Sequence, residues 1–169
     1  MRRLTAEGLA LEPQVAGHAD EMFSVLSDPA IYLYENTPPP SLAWLRERFR
    51  KLESRRSADD REQWLNWVVR LPSAEAIGYV QATIRGDQAG IAYVLGSRYW
   101  GRGHARQAVE AMLGELADQY EVRVATAVLK TRNVRSRRLL DRLGFIEAIG
   151  EPAQYGDDET LMRRSIGRA

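Results

Sequence analysis

Ile91-Ala92-Tyr93-Val94-Leu95-Gly96-Ser97-Arg98-Tyr99-Trp100-Gly101-Arg102-Gly103-His104-Ala105 is the stretch on which the fold turns. Ile91 to Leu95 reads as a short, apolar strand. A loop carrying Arg98, Gly101 and Gly103 follows, and a patterned helix starts at once. In that helix Ala105, Ala108, Val109, Met112, Leu113 and Leu116 recur at helical spacing, with Arg106, Gln107, Glu110 and Glu115 on the other face. Such a stripe needs a sheet to pack on. Glycine lets the backbone turn tightly and approach a ligand closely. The first turn of a helix leaves N–H groups unpaired, with partial positive charge. Together they suit an anion such as phosphate, and Arg102 and Arg106 add charge nearby. Two glycines before a helix can also be a plain turn. Strand, arginine, glycines and helix in series argue for the anion site. The loop lacks the G-K-[ST] of a nucleoside-triphosphate loop. Arg106 stands where a dinucleotide fingerprint needs Gly or Ala.

Working outward, Trp64–Arg70 and Ile77–Ile84 are further strand-like runs, linked by turns at 71–76 and 86–90. With Ile91–Leu95 they predict an antiparallel meander. Upstream, Leu4–Glu12 reads as one strand and His18–Leu26 as a helix ending before Asp28-Pro29. Thr37-Pro38-Pro39-Pro40 is a stiff connector. Ser41 can cap a second helix, where Leu42, Leu45, Phe49 and Leu52 form the apolar face. The charged run Glu53–Arg61 reads as a solvated loop. Downstream come a strand at Val122–Val128, a short helix at Asn133–Leu143 stopped by Gly144, and final strands at Phe145–Ile149 and Thr160–Ile166. The order β α α β β β α β α β β predicts one mixed α/β domain over residues 1–169.

Composition narrows the chemistry. The chain has 169 residues, a length suited to a single core. Its net charge is +1, so charge alone makes no case for nucleic acid. The basic run Lys130, Arg132, Arg135, Arg137, Arg138 and Arg142 reads first as a solvated helix face, next as a contact for a ligand phosphate, and last as an RNA contact. It contains no Cys, which excludes disulfides and a thiol nucleophile, and His18 and His104 are its only histidines. No metal site is expected. No run reaches the roughly 18 apolar residues of a membrane span, and no signal-peptide core is seen, so a cytoplasmic protein is expected. Trp64, Trp67 and Trp100 read as core or sheet packing.

Arg98-x-x-Gly101-x-Gly103 resembles the Q/R-x-x-G-x-G/A pyrophosphate loop of the GNAT acetyltransferase superfamily. Asn133-x-x-Ser136-x-Arg138 through Gly144-Phe145 is similar to that family's second segment. The likeness is nearest to the branch of ribosomal-protein N-terminal alanine acetyltransferases. It implies a single α/β (α+β) GNAT-like domain. Its mixed sheet of about seven strands would be splayed between strands 91–95 and 122–128 and flanked by about four helices. It implies acetyl-CoA as cosubstrate, with its pyrophosphate on the backbone of Gly101, Arg102, Gly103, His104 and Ala105 behind Arg98. The pantetheine arm would pair with Val94 and Leu95 and meet Asn133. The activity implied is direct acetyl transfer to a primary amine, either a protein N-terminus or a small molecule. Many relatives dimerise, so a homodimer is a further expectation.

Two departures bear on catalysis. Many relatives carry a Tyr seven residues after the motif Asn; here Leu140 stands there, and Ser136 is the replacement candidate to stabilise a leaving thiolate. Gly90 stands where some relatives place a carboxylate. An ammonium must still lose a proton before it attacks. Glu35 is the carboxylate singled out; Glu151, Asp157 and Asp158 near Tyr155 are the others, and a water chain is the remaining route. The alternative reading is a non-catalytic acyl-CoA sensor of the same fold.

Overall fold

Gly8, at φ +70°, turns what reads as one N-terminal strand into a hairpin. In the computed structural model, which describes residues 1–34, 36–149 and 156–167, Leu4–Ala6 (β1) pairs antiparallel with Leu9–Pro13 (β2). The expected seven strands are therefore eight. A 3₁₀ turn at Ala16–His18 leads into α1 (Ala19–Leu26), and Ser41 caps α2 (Leu42–Glu53) by accepting from Trp44 N–H at 3.1 Å. Gln63–Arg70 (β3), Ala76–Arg85 (β4) and Gln88–Leu95 (β5) form the expected meander. The link between β4 and β5 is only Gly86-Asp87, shorter than expected, because Ala89 and Gly90 already pair with β6. Then follow α3 (His104–Tyr120), β6 (Val124–Lys130), α4 (Val134–Arg142), β7 (Ile146–Glu147) and β8 (Glu159–Ser165).

The strands make one mixed sheet in the order β1-β2-β3-β4-β5-β6-β8-β7. Every neighbouring pair is antiparallel except β5 and β6. That parallel pair is joined only at Gln88↔Val124, Ala89↔Ala125 and Gly90↔Thr126. Beyond Gly90 the two strands part, so the sheet is forked along Ile91–Leu95.

Two cores hold the fork in place. On one face, Val109, Met112 and Leu116 of α3 pack with Ile91 and Leu95 of β5, Ala125 and Ala127 of β6, and Leu140 of α4. On the other, Met22 and Leu26 of α1 and Leu45 and Phe49 of α2 close over Val68 and Ala76. Each fully buried side chain of this kind contributes roughly 1.5–3 kcal/mol. Helices α1 and α2 thus cover the β3–β4 side of their face, and α3 and α4 occupy the opposite face. Among the described residues no helix is long and apolar enough to cross a membrane.

Candidate active site

Alternation along β5 decides which backbone groups face the fork. Gly96 N–H donates to Ile77 C=O at 3.0 Å, so even-numbered residues of β5 turn toward β4 and odd-numbered ones toward β6. Asp87 C=O, accepting from Arg123 N–H at 2.7 Å, fits the same parity. Ile91, Tyr93 and Leu95 therefore offer the unpaired edge. This corrects the expectation for Val94, whose backbone faces Tyr79 of β4. Leu95 lies on that edge, and its carbonyl accepts from Trp100 Nε1 at 2.9 Å. Gly78 explains how β4 follows this edge so closely: a Cβ there would lie 2.1 Å from the Val94 carbonyl oxygen.

The loop after β5 ends in a row of free donors. The N–H groups of Gly101, Arg102, Gly103, His104, Ala105 and Arg106 find no acceptor among the described residues. Gly101 and Gly103 lie at φ +75° and +83°, the left-handed region, and the space a Cβ would occupy is open at both. Gly103 precedes the first turn of α3 with no side-chain cap. This is a cradle for an anion, with the helix terminus behind it. His104 Nδ1 is buried there without a partner. Arg102 is exposed, and Arg106 reaches Glu110 at 3.7 Å. Arg98 points its guanidinium to Glu75 (2.6 Å), whose carboxylate also accepts from Tyr99 OH (2.7 Å). It fastens the loop to the β3–β4 turn.

Helix α4 closes the other side. Asn133 Oδ1 accepts from Ser136 N–H at 3.1 Å, which caps α4 and leaves only the Asn133 NH₂ as a free donor. Ser136 Oγ lies 2.6 Å from Tyr93 OH. Burial pushes the Tyr93 phenol up to about 12, with the Ser136 bond opposing that rise. Arg135 stacks on Trp100 with its guanidinium carbon 3.6 Å from the ring centroid. Tyr93 and Trp100 thus clasp α4 to the β5 side of the fork. Strict alternation along Ile91–Leu95, which puts Tyr93 on the α3 face, is the signal that could have found it. Leu140 is 1% exposed and belongs to the core.

Asp28, which the sequence did not single out, joins the far end. Its Oδ2 accepts from Ser97 N–H at 2.7 Å and its Oδ1 from Ala30 N–H at 3.0 Å. The Ser97 hydroxyl first, then the Ser97 and Ala30 N–H groups, hold its carboxyl below the ordinary carboxylate range. Of the candidate bases, Glu35 and Glu151, with Tyr155, lie outside the described residues. Asp158 is bound to Lys130 at 3.0 Å, which lowers its pKa and its basicity, and Asp157 is exposed. The tryptophans separate: Trp67 is fully buried, whereas Trp64 and Trp100 are half-buried, Trp100 as the Arg135 platform. No group of three or more metal-ligating side chains occurs among the described residues.

Solved structures share this architecture at low identity. A GNAT-family acetyltransferase from Bacillus anthracis superposes with TM-score 0.77 at 16% identity, covering 96% of this chain and 98% of that one. Ribosomal-protein-S5-alanine acetyltransferase from Vibrio fischeri gives 0.80 at 19%, covering 97% and 96%. Spermidine N-acetyltransferase from Vibrio cholerae, in complex with CoA and spermine, gives 0.72 at 19%, covering 93% and 94%. No curated protein matches in sequence. The sequence profile described as "Acetyltransferase (GNAT) domain" matches residues 9–146, from β2 across the fork, the cradle and α4. A forked sheet with an anion cradle at its edge, within a match spanning most of the chain, places the protein in the GNAT acetyltransferase family.

Proposed function

We propose that this protein is an acetyl-CoA-dependent N-acetyltransferase that acetylates a primary amine directly, on a protein N-terminus or a small molecule. The observation that carries this is the continuity of the open β5 edge, Ile91 to Leu95, with the free N–H groups of residues 101–106. One strand edge can hold an amide-bearing arm by strand-like pairing. The cradle at its end can hold a pyrophosphate. Acetyl-CoA supplies a reactive thioester, so that a deprotonated amine can take the acyl group and release a thiolate.

The chain's own residues divide that work. Gly101 and Gly103 hold the loop in the shape that turns its N–H groups outward. The Asn133 NH₂ is available to an amide carbonyl between β5 and α4. Ser136 Oγ is placed to donate a hydrogen bond toward the fork, while Tyr93 OH holds its orientation. Tyr93 stays protonated at neutral pH and can replenish a proton that Ser136 passes on. Deprotonation of the amine falls to Glu35 or to water, since Asp158 is tied to Lys130.

Leu140, in place of the family's common Tyr, favours a second reading, an acyl-CoA sensor without turnover. Calorimetric titration with acetyl-CoA, followed by a CoA-release assay over an amine panel, tests both. One-site binding with CoA release supports the enzyme. Binding without release across the panel supports the sensor, and no binding removes both.

A further inference from the structure

A cavity of about 270 Å³ opens between α2 and the β3–β4 surface. Asn66, Gln81 and Thr83 form its floor, Trp64 one wall, and Arg48 and Lys51 its rim. Asn66 is 3% exposed, yet its carboxamide makes no hydrogen bond with the described residues, and neither does that of Gln81. Neither carboxamide is sealed from the cavity, so both can hydrogen-bond to a polar group held there. Arg48 and Lys51, three apart on one helix face, have no carboxylate partner among the described residues. Lys51 instead lies 6.0 Å from the Trp64 ring centroid, and Arg48 5.6 Å from that of Trp44. Glu62, two residues before Trp64, is engaged by Trp64 Nε1 (2.8 Å) and Arg85 (2.7 Å). The cavity is therefore a cationic, amide-floored pocket without an anion.

Its place in the sheet links it to the fork. Asn66 pairs with Gln81, Gln81 with Ala92, Thr83 with Gly90, and Gly90 with Thr126. Paired residues share a face, so the floor continues across β5 to the point where β5 and β6 part. Two strand spacings separate Asn66 from Ala92, on the order of 10 Å. The anion cradle and α4 lie with α3 on the opposite face. An acyl group held from that side would present its carbonyl through the fork to this one.

Resting on the acetyltransferase reading, we infer that the pocket selects the acceptor: an amine carrying an anionic group, carboxylate or phosphate, on the order of 10 Å from its nitrogen. Arg48 and Lys51 neutralise the anion, the Asn66 and Gln81 NH₂ groups donate to it, and Trp64 packs on the stem. A polyamine would meet two cations there and be repelled.

The test uses four acceptors with the full chain at saturating CoA: the peptide amides Ala-Gly-Glu, Ala-Gly-phosphoserine and Ala-Gly-Gln, and spermidine. Quenching of indole fluorescence reads binding, with Trp64→Phe assigning the signal. One or both anionic peptides are expected to bind at least tenfold more tightly than Ala-Gly-Gln and spermidine. Which of them binds better distinguishes carboxylate from phosphate. Arg48 and Lys51 are exposed, so Arg48→Glu/Lys51→Glu should fold normally and lose the preference. Equal binding of all four, a preference for spermidine, or an anion preference that survives the charge reversal would overturn the inference. Acetyl-CoA titration separates the two levels. If acetyl-CoA binds and the anion preference is absent, only this inference falls. If acetyl-CoA does not bind, the acceptor assignment falls with the enzyme.

Discussion

Tyr93 OH and Ser136 Oγ stand 2.6 Å apart, one on β5 and the other on α4, where the strands of the fork have already separated. The pair ties a strand edge to a helix across a gap that contains no ladder bonds. If the two hydroxyls act as a unit, Tyr93→Phe and Ser136→Ala should each lower kcat roughly tenfold to a hundredfold, with the double variant little worse than either. Acetyl-CoA affinity should change far less than kcat. Burial holds the phenol up to about 12, so no loss of activity from Tyr93 ionisation is expected below roughly pH 10. Additive losses in kcat would show that the hydroxyls act separately.

Gly103 at φ +83° tests the cradle. A side chain in the left-handed region costs about 1–2 kcal/mol, and a β-branched one more. Gly103→Val is expected to weaken acetyl-CoA binding at least tenfold by calorimetry, with a modest fall in Tm. Full affinity in this variant would move the phosphate site away from the loop.

Asp28 connects the start of the α1–α2 link to Ser97 behind β5. Asp28→Ala should cost about 1–2 kcal/mol at neutral pH, as a lost cap and a lost charged acceptor. The folded carboxyl is held low, so its contribution is complete above the ordinary carboxylate range near 3.9. It fades as pH falls through the lower folded value. Denaturation curves of wild type and variant should therefore converge only in acid.

His18 Nδ1 accepts from Val15 N–H at 3.1 Å, which requires the neutral ring. Burial lowers its pKa, chiefly by penalising the charged form, against the pull of Glu21 and Glu12. Stability from this group is then complete above the ordinary histidine value near 6.5 and declines as pH drops toward the folded value. A Tm scan from pH 7.5 to 5 should show that decline in wild type and a flatter profile in His18→Gln.

Much of this was readable in the chain because its signals were local. The α3 stripe, the Ser41 cap and the glycines before α3 each depend on near neighbours. The misread features depend on partners distant in sequence. Gly8 has weak company as a turn, so β1 and β2 looked continuous. Gly90 looked like a turn residue, but it lies in β5 opposite Thr126, where a Cβ would meet nothing closer than the Thr126 hydroxyl at 3.9 Å. Val94 and Leu95 differ only in parity, which pairing with β4 decides. Nothing near Asn66, one polar residue inside Leu65–Val69, shows that Gln81 of β4 and Lys51 of α2 complete a pocket around it.

Three paired positions join β5 to β6, and beyond them the sheet is slit from one face to the other. A slit has two doors. What enters from the α3 side need not leave before something else arrives from the α2 side. Kinetically, that predicts a ternary complex, with initial-rate lines that intersect rather than run parallel when both substrates are varied.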